Sequence, residues 1–174
     1  MADSSSKFPK ADFVDILAAN AKFVSSFKDE QLTGTARRGL AIVTCMDSRI
    51  NPLAIVGMGA GDAKILRNAG ARVTDDVLRT LVLATYLLAV DRVLVMPHTD
   101  CRMASGDEES IHRTIHERHG VDTRGIAFRT VKDQRESLAQ DVASIRNCAL
   151  LPKTLKVAGA IYNVGTGELE TVDC

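Results

Sequence analysis

The chain has 174 residues, 45% hydrophobic and 25% charged, with 22 Lys plus Arg balanced by 22 Asp plus Glu. That length suits a single domain, 1–174, that buries its own core, and the absence of net charge argues against nucleic acid as a partner. The first residues hold no apolar signal core and the longest apolar run, 81–90, is about half a membrane span, so no membrane partner is expected and the compartment read from the sequence is the cytoplasm.

Four cysteines in such a chain are expected to stay reduced, which leaves metal-ligand and nucleophilic roles open.

Residues 1–11 read as a flexible tail. Over 12–28, Phe13, Ile16, Leu17, Phe23, Val24 and Phe27 fall roughly on one helical stripe, which predicts an amphipathic N-terminal helical arm lying on another surface, a partner subunit being one option. Residues 39–44 form the first strand, apolar enough to be buried on both faces of a parallel sheet. It delivers Cys45, Asp47 and Arg49 at every second position, so a backbone extended through Arg49 would put all three on one face.

Asn51 followed by Pro52 reads as an N-cap with proline at the first helical position, opening a short helix over 51–57. Gly57, Gly59 and Gly61 precede a strand instead of opening a helix, which makes them turn residues and not a dinucleotide loop. The second strand is 64–68. Thr74 caps a helix whose first turn holds Asp75 and Asp76, and whose body, 77–90, is apolar on most sides and so expected in the core.

The third strand, 92–97, runs directly into His98-Thr99-Asp100-Cys101. A polar helix follows Gly106, then a fourth strand near 126–131, a helix over about 135–149, and a hairpin in which 165–167 joins strands at 156–164 and 169–172. Within the polar helix, His112, His116 and His119 stand at i, i+4 and i+7 among Glu108, Glu109, Arg113, Glu117 and Arg118. That setting favours a solvated face over a second metal site.

Strands separated by helices imply an α/β fold: a mainly parallel four-stranded sheet of order 2-1-3-4 with an added C-terminal edge strand, helices on both faces and the N-terminal arm. In that order the first and third strands are neighbours about 4.8 Å apart, so Cys45, His98 and Cys101 can converge on one ion. Two thiolates and an imidazole suit zinc. A structural zinc site is closed by a fourth ligand, but Cys148 and Cys174 fall in a polar helix and at the last residue, so a site with one position open to water is expected.

The motifs C-M-D-S-R at 45–49, R-N-A-G at 67–70, V-T-D-D-V at 73–77 and H-T-D-C at 98–101, with G-A-I-Y-N-V-G-T-G-E-L near the C-terminus, resemble those of the compact bacterial and archaeal branch of the β-class carbonic anhydrases. The resemblance spans about 39–172. It implies one Zn²⁺ per subunit on Cys45, His98 and Cys101, and reversible hydration of CO2 to bicarbonate and a proton by zinc-bound hydroxide. It makes Asp47 and Arg49 the catalytic dyad, with Asp47 able to become a fourth zinc ligand in a closed state. A substrate pocket is expected to include Asn68, Ala69 and Gly70, with Arg102 beside it, and the resemblance implies a homodimer or higher homo-oligomer in which the helical arm wraps the other subunit.

Three positions depart from the family pattern. Arg102 stands where glycine is common, Ala89-Val90 where a glycine often ends the helix, and Asn163 where aspartate is usual. Two alternatives accompany the hydration reading: a hydrolase of carbonyl sulfide or carbon disulfide using the same zinc site, and a non-catalytic homologue that senses zinc or bicarbonate.

Overall fold

The strand β1 (Leu40–Cys45) is buried at all six positions, and the rest of the sheet is assembled around it. The computed structural model describes residues 8–174, so the first seven residues of the expected flexible tail lie outside the described ones. The chain divides into a unit ending at Leu32 and a unit spanning Thr33–Cys174. In the first, a 3₁₀ turn, Lys10–Phe13, leads into α1 (Val14–Val24), and neither element buries a residue. The helix is shorter than the expected 12–28, and Phe13, Ile16, Leu17, Phe23, Val24 and Phe27 are all exposed.

The second unit continues from β1 through α2 (Pro52–Ile55), β2 (Ala63–Asn68), α3 (Asp75–Leu87), β3 (Arg92–Met96), α4 (Glu108–His119), α5 (Gln134–Arg146), β4 (Lys156–Tyr162) and β5 (Leu169–Val172). The sheet order is β2-β1-β3-β4-β5. All pairings are parallel except the last, in which β5 returns antiparallel to β4. This is the α/β sheet the sequence predicts. Among the described residues no helix is long and apolar enough to cross a membrane.

Because strand side chains alternate, β1 feeds both faces of the sheet. Ala41 and Val43 join Val93, Val95, Leu81 and Val142 on one side, while Leu40 and Ile42 join Met96, Cys45, Ile50 and Cys101 on the other. Ile42 and Leu81 are fully buried, and each contributes about 1.5–3 kcal/mol by leaving water.

Local caps agree with the sequence. The Asn51 side chain accepts from the Ala54 N–H and Thr74 from the Val77 N–H, with Pro52 at the first turn of α2. Asn163 Oδ1 accepts from the N–H groups of Gly165 and Thr166 and so closes the turn into β5.

Two expectations are corrected. Residues 126–131 are not a strand: Arg129 sits at φ 57°, which breaks an extended run, and the place beside β3 is taken by β4, with Arg92 opposite Lys156. The segment is instead a loop pinned by Val131 N–H to the Met103 carbonyl and by Arg72 Nη1 to the Arg129 carbonyl.

The helix after Thr74 is not buried on most sides either. Only Val77, Leu81 and Ala84 of α3 are buried, one stripe at i, i+4 and i+7, because a helix lying on a sheet covers a single face. Leu83, Tyr86 and Leu87 stay exposed. The helix also stops at Leu87, and two residues later Ala89 takes φ 61°.

Candidate metal centre and its dyad

Cys45 closes β1, and His98 and Cys101 lie on the loop that leaves β3. His98 forms an isolated parallel bridge to Tyr162, and the Thr99 N–H donates to the Tyr162 carbonyl. The Gln134 amide donates to the His98 carbonyl at 2.6 Å, so the loop is tied both to β4 and to α5.

The ligand atoms of Cys45, His98 and Cys101 all lie within 4.8 Å of one another, and among the described residues this is the one such group able to hold a metal ion. The expected convergence across neighbouring strands is therefore present. His112, His116 and His119 do not converge. His112 is instead part-buried, with its ring centroid 5.0 Å from that of Phe128 and Nδ1 2.8 Å from Thr123 Oγ1, more enclosed than a solvated face implies.

The donors fit a cation. His98 is fully buried, and its Nδ1 lies 2.8 Å from the Thr99 carbonyl. A carbonyl only accepts, so Nδ1 carries the proton and Nε2 presents a lone pair. Among the described residues, His98 Nε2 is the single buried side-chain polar atom without a hydrogen-bond partner. Such an orphan costs about 1–3 kcal/mol unless something binds it.

The two sulfurs stand 4.0 Å apart, close to the roughly 3.8 Å that two 2.3 Å bonds to a tetrahedral zinc would impose. Burial is the main influence raising the Cys101 thiol above its ordinary pKa; the Met103 amide opposes it and Cys45 adds to it. A bound cation reverses that balance by stabilising both thiolates.

Asp47 and Arg49 meet by a route other than the expected one. The strand ends at Cys45, and the Ile50 N–H donates to the Asp47 carbonyl at 3.1 Å, closing a turn. Asp47 Oδ1 accepts the Arg49 backbone N–H at 2.9 Å. An Asx turn therefore replaces strand alternation, because aspartate readily bonds its own backbone two residues on.

The Arg49 guanidinium then folds back on the same carboxylate. Its side-chain hydrogen bond is the largest influence holding the Asp47 carboxyl far below the usual carboxylate range, followed by its backbone N–H. Arg49 is held above its ordinary value in return. Asp47 Oδ2 lies 3.8 Å from His98 Nε2, so this ionised carboxylate borders the cluster.

Two residues near the dyad were not singled out from sequence. Arg67 on β2 donates to the carbonyls of Cys45, Asp47 and Ile50 at 2.8, 2.6 and 3.2 Å. Asp100, at φ 54°, accepts from Arg49 Nη1 at 2.7 Å through its carboxylate and from Nη2 at 3.0 Å through its carbonyl. Both lie inside motifs the sequence displays, but nothing in a linear motif says which carbonyl or guanidinium a charged side chain will meet.

The residues expected in a substrate pocket take different positions. Asn68 uses both ends of its amide on the Arg72 backbone, at 2.7 and 2.8 Å. That folds the intervening loop so that the Gly70 N–H reaches Cys45 Sγ at 3.4 Å. Gly70 has φ 81°, and a Cβ there would lie 3.2 Å from Met103 Cβ, so both backbone conformation and space favour glycine. Ala69 and Asn68 border an open cleft of about 490 Å³ that Arg67, Arg72 and Arg129 also line. Arg102 is exposed in a 3₁₀ turn beside Cys101.

Known proteins resemble this chain. A family model described as carbonic anhydrase matches residues 40–169. Beta-carbonic anhydrase 1 of Mycobacterium tuberculosis is 32% identical over 91% of this chain and 96% of its own length. The crystal structure of a carbonic anhydrase from Streptococcus mutans superposes with a TM-score of 0.87 at 36% identity, covering 92% of this chain and 97% of that one. A carbon disulfide hydrolase of Acidithiobacillus thiooxidans is 29% identical over 76% of each chain. On the match to the family model and the near-complete coverage of the two carbonic anhydrases, the chain belongs to the β-carbonic anhydrase family.

Proposed function

We propose that this protein is a zinc-dependent carbonic anhydrase that interconverts CO2 and bicarbonate, with Cys45, His98 and Cys101 holding the metal and Asp47 and Arg49 acting beside it. The observation that carries the reading is the orphaned, buried His98 Nε2 facing two cysteine sulfurs, with an ionised carboxylate at the edge of the set. When bound, zinc supplies Lewis-acid chemistry that brings the pKa of water from 15.7 toward about 7.

The chain's own residues orient the reactants. Ionised Asp47 is an acceptor only, so it takes the hydrogen bond of the reacting water at Oδ2 and directs the remaining lone pair at the carbon of CO2. Arg49 holds Asp47 in that ionised form and fixes its angle. His98, with its proton on Nδ1 committed to the Thr99 carbonyl, is a neutral donor of electron density and not an acid.

The similarity to carbon disulfide hydrolases favours a second reading, hydrolysis of carbon disulfide or carbonyl sulfide by the same residues. CO2 is ranked first because the relatives matched over nine-tenths of this chain are named as carbonic anhydrases. We further propose assembly into a homodimer or larger homo-oligomer, supported by the exposed apolar side chains of α1. Turnover of CO2 measured on protein of known zinc content, with the two sulfur substrates in parallel, tests the assignment. Size-exclusion chromatography with light scattering tests the assembly.

A further inference from the structure

We propose that Arg67 is a positioning residue for the reaction: its guanidinium holds the turn at residues 46–50 in the one shape that lets Asp47 and Arg49 pair beside the metal ligands. The inference rests on the proposed carbonic anhydrase reading for its catalytic consequence, but its structural basis is independent of that reading.

Apart from Arg67, the turn is fixed by the buried Ile50 side chain, by Asp100 on the Arg49 guanidinium and by its own hydrogen bonds. β1 ends at Cys45, and beyond the Met46 N–H, which donates to the Asn68 carbonyl, the segment has left the ladder. Within it, the Ile50 N–H to Asp47 carbonyl bond closes one end, and the Arg49 N–H is held by the Asp47 side chain. These are contacts of the turn with itself. From outside the turn, Asp100 holds the Arg49 side chain, and Arg67 is the side chain that holds the turn's backbone carbonyls, with Nε on the Cys45 carbonyl, Nη2 on the Asp47 carbonyl and Nη1 on the Ile50 carbonyl.

One rigid planar fork thus grips the residue before the turn, the catalytic aspartate and the residue that closes the turn. Charge-assisted bonds of this kind are about twice as strong as neutral ones, and the fixed spacing of the guanidinium transmits position as well as energy. β2 can act as the anchor because its ladder with β1 runs from Leu40 opposite Ala63 to Cys45 opposite Asn68.

The metal ligands do not depend on this fork to the same degree. Cys45 is held by the ladder itself and its sulfur by the Gly70 N–H, while His98 and Cys101 belong to a loop that Arg67 does not touch. Arg67 therefore acts on the dyad and leaves the metal set in place. The competing role for an arginine lining a cleft is to attract an anionic substrate, and the two roles separate on substitution. Lysine keeps the charge but loses the fork, whereas glutamine loses both.

The test compares Arg67→Lys and Arg67→Gln with the unaltered, zinc-loaded full chain. Zinc affinity is measured by chelator competition, kcat and KM for CO2 and for bicarbonate by stopped flow, and backbone amide exchange over residues 46–50 by mass spectrometry. Both variants are expected to exchange faster over 46–50 and to lose about ten- to a hundredfold in kcat, the scale of a small misplacement of reacting groups. KM stays within about threefold, as for a loss confined to the transition state. Zinc affinity also stays within about threefold, short of the ten- to hundredfold lost when a group orienting a ligand is removed.

Unchanged exchange and unchanged kcat in both variants overturn the proposal. A raised KM for bicarbonate at constant kcat in Arg67→Gln that Arg67→Lys restores also overturns it and makes Arg67 an attracting charge. If the unaltered chain has no CO2 turnover, the proposed function fails while the exchange data still decide whether Arg67 holds the turn.

Discussion

Arg49 grips both carboxylate oxygens of Asp47, with Nε to Oδ1 at 3.0 Å and Nη2 to Oδ2 at 2.7 Å. The same guanidinium holds Asp100 through Nη1 at 2.7 Å. Asp47 is thereby kept charged and turned toward Arg49, with Oδ2 3.8 Å from His98 Nε2. On the proposed function the arrangement divides the labour: three buried side chains would bind the metal, and two partly exposed ones would orient the reactants.

Asp47→Ala separates those jobs. Zinc stoichiometry is expected to stay near that of the parent protein, because Cys45, His98 and Cys101 are untouched. CO2 hydration should fall by about a hundredfold or more, the range for removal of a positioned proton-handling group. Near-normal turnover with full zinc would remove Asp47 from the reaction.

Cys101→Ser acts on the other half. A serine hydroxyl at neutral pH is a poor substitute for a thiolate, so zinc retained after dialysis against a chelator should drop well below that of the parent. Equal zinc content in the two dialysed proteins would take Cys101 out of the ligand set.

Ala89→Gly is expected to stabilise the fold. Ala89 holds φ 61°, a left-handed conformation that costs a residue with a Cβ about 1–2 kcal/mol, partly offset by the greater freedom of glycine in the unfolded chain. A net gain of roughly 0.5–1 kcal/mol follows, visible as a higher urea midpoint at unchanged slope. A lower midpoint would mean that the alanine methyl makes a packing contact worth more than the strain.

Acid sensitivity has a definite source in Asp62. Its carboxylate accepts from the Gly59 N–H at 2.9 Å and pairs with Arg37 at 3.0 Å, and the Gly59 bond is the main cause of its lowered pKa. Since the folded value lies below the unfolded value of about 3.9, the unfolded chain binds more protons between the two. The stabilisation is complete above the unfolded value and is lost as pH falls through the folded one. The stability difference between the parent and Asp62→Asn should be widest near neutral pH and shrink toward pH 2.5 in denaturant titrations. A difference that does not vary with pH would contradict this source.

How much could be read from the sequence depended on whether a feature was periodic or conformational. The buried run over β1, the Thr74 and Asn51 caps, and the two strand ends carrying Cys45 and His98 were legible, because burial, capping and strand alternation leave marks at fixed spacings. The expected fourth strand at 126–131 was not excluded by composition: Ile126, Phe128 and Val131 suit a strand, and only the left-handed Arg129 and the prior claim of β4 on that edge rule it out.

The pairing of Asp47 with Arg49 was anticipated for a different reason from the one that produces it. Alternation along a strand and an Asx turn both bring i and i+2 together, and sequence spacing does not distinguish them. Arg67 and Asp100 were invisible as participants because their partners are backbone carbonyls and a shared guanidinium, which no motif encodes. The departure at Ala89, by contrast, was marked in the sequence, and the structure shows its consequence in φ.

The most direct test is stopped-flow CO2 hydration on protein whose zinc content has been measured, run from about pH 7 to 9, where water bound to a protein zinc ionises, beside the same preparation stripped of metal and with carbonyl sulfide and carbon disulfide as comparison substrates. The expected result is CO2 turnover that scales with zinc occupancy, vanishes on stripping, returns on reconstitution and exceeds turnover of both sulfur compounds. Full zinc occupancy with no CO2 hydration at any pH in that range would contradict it.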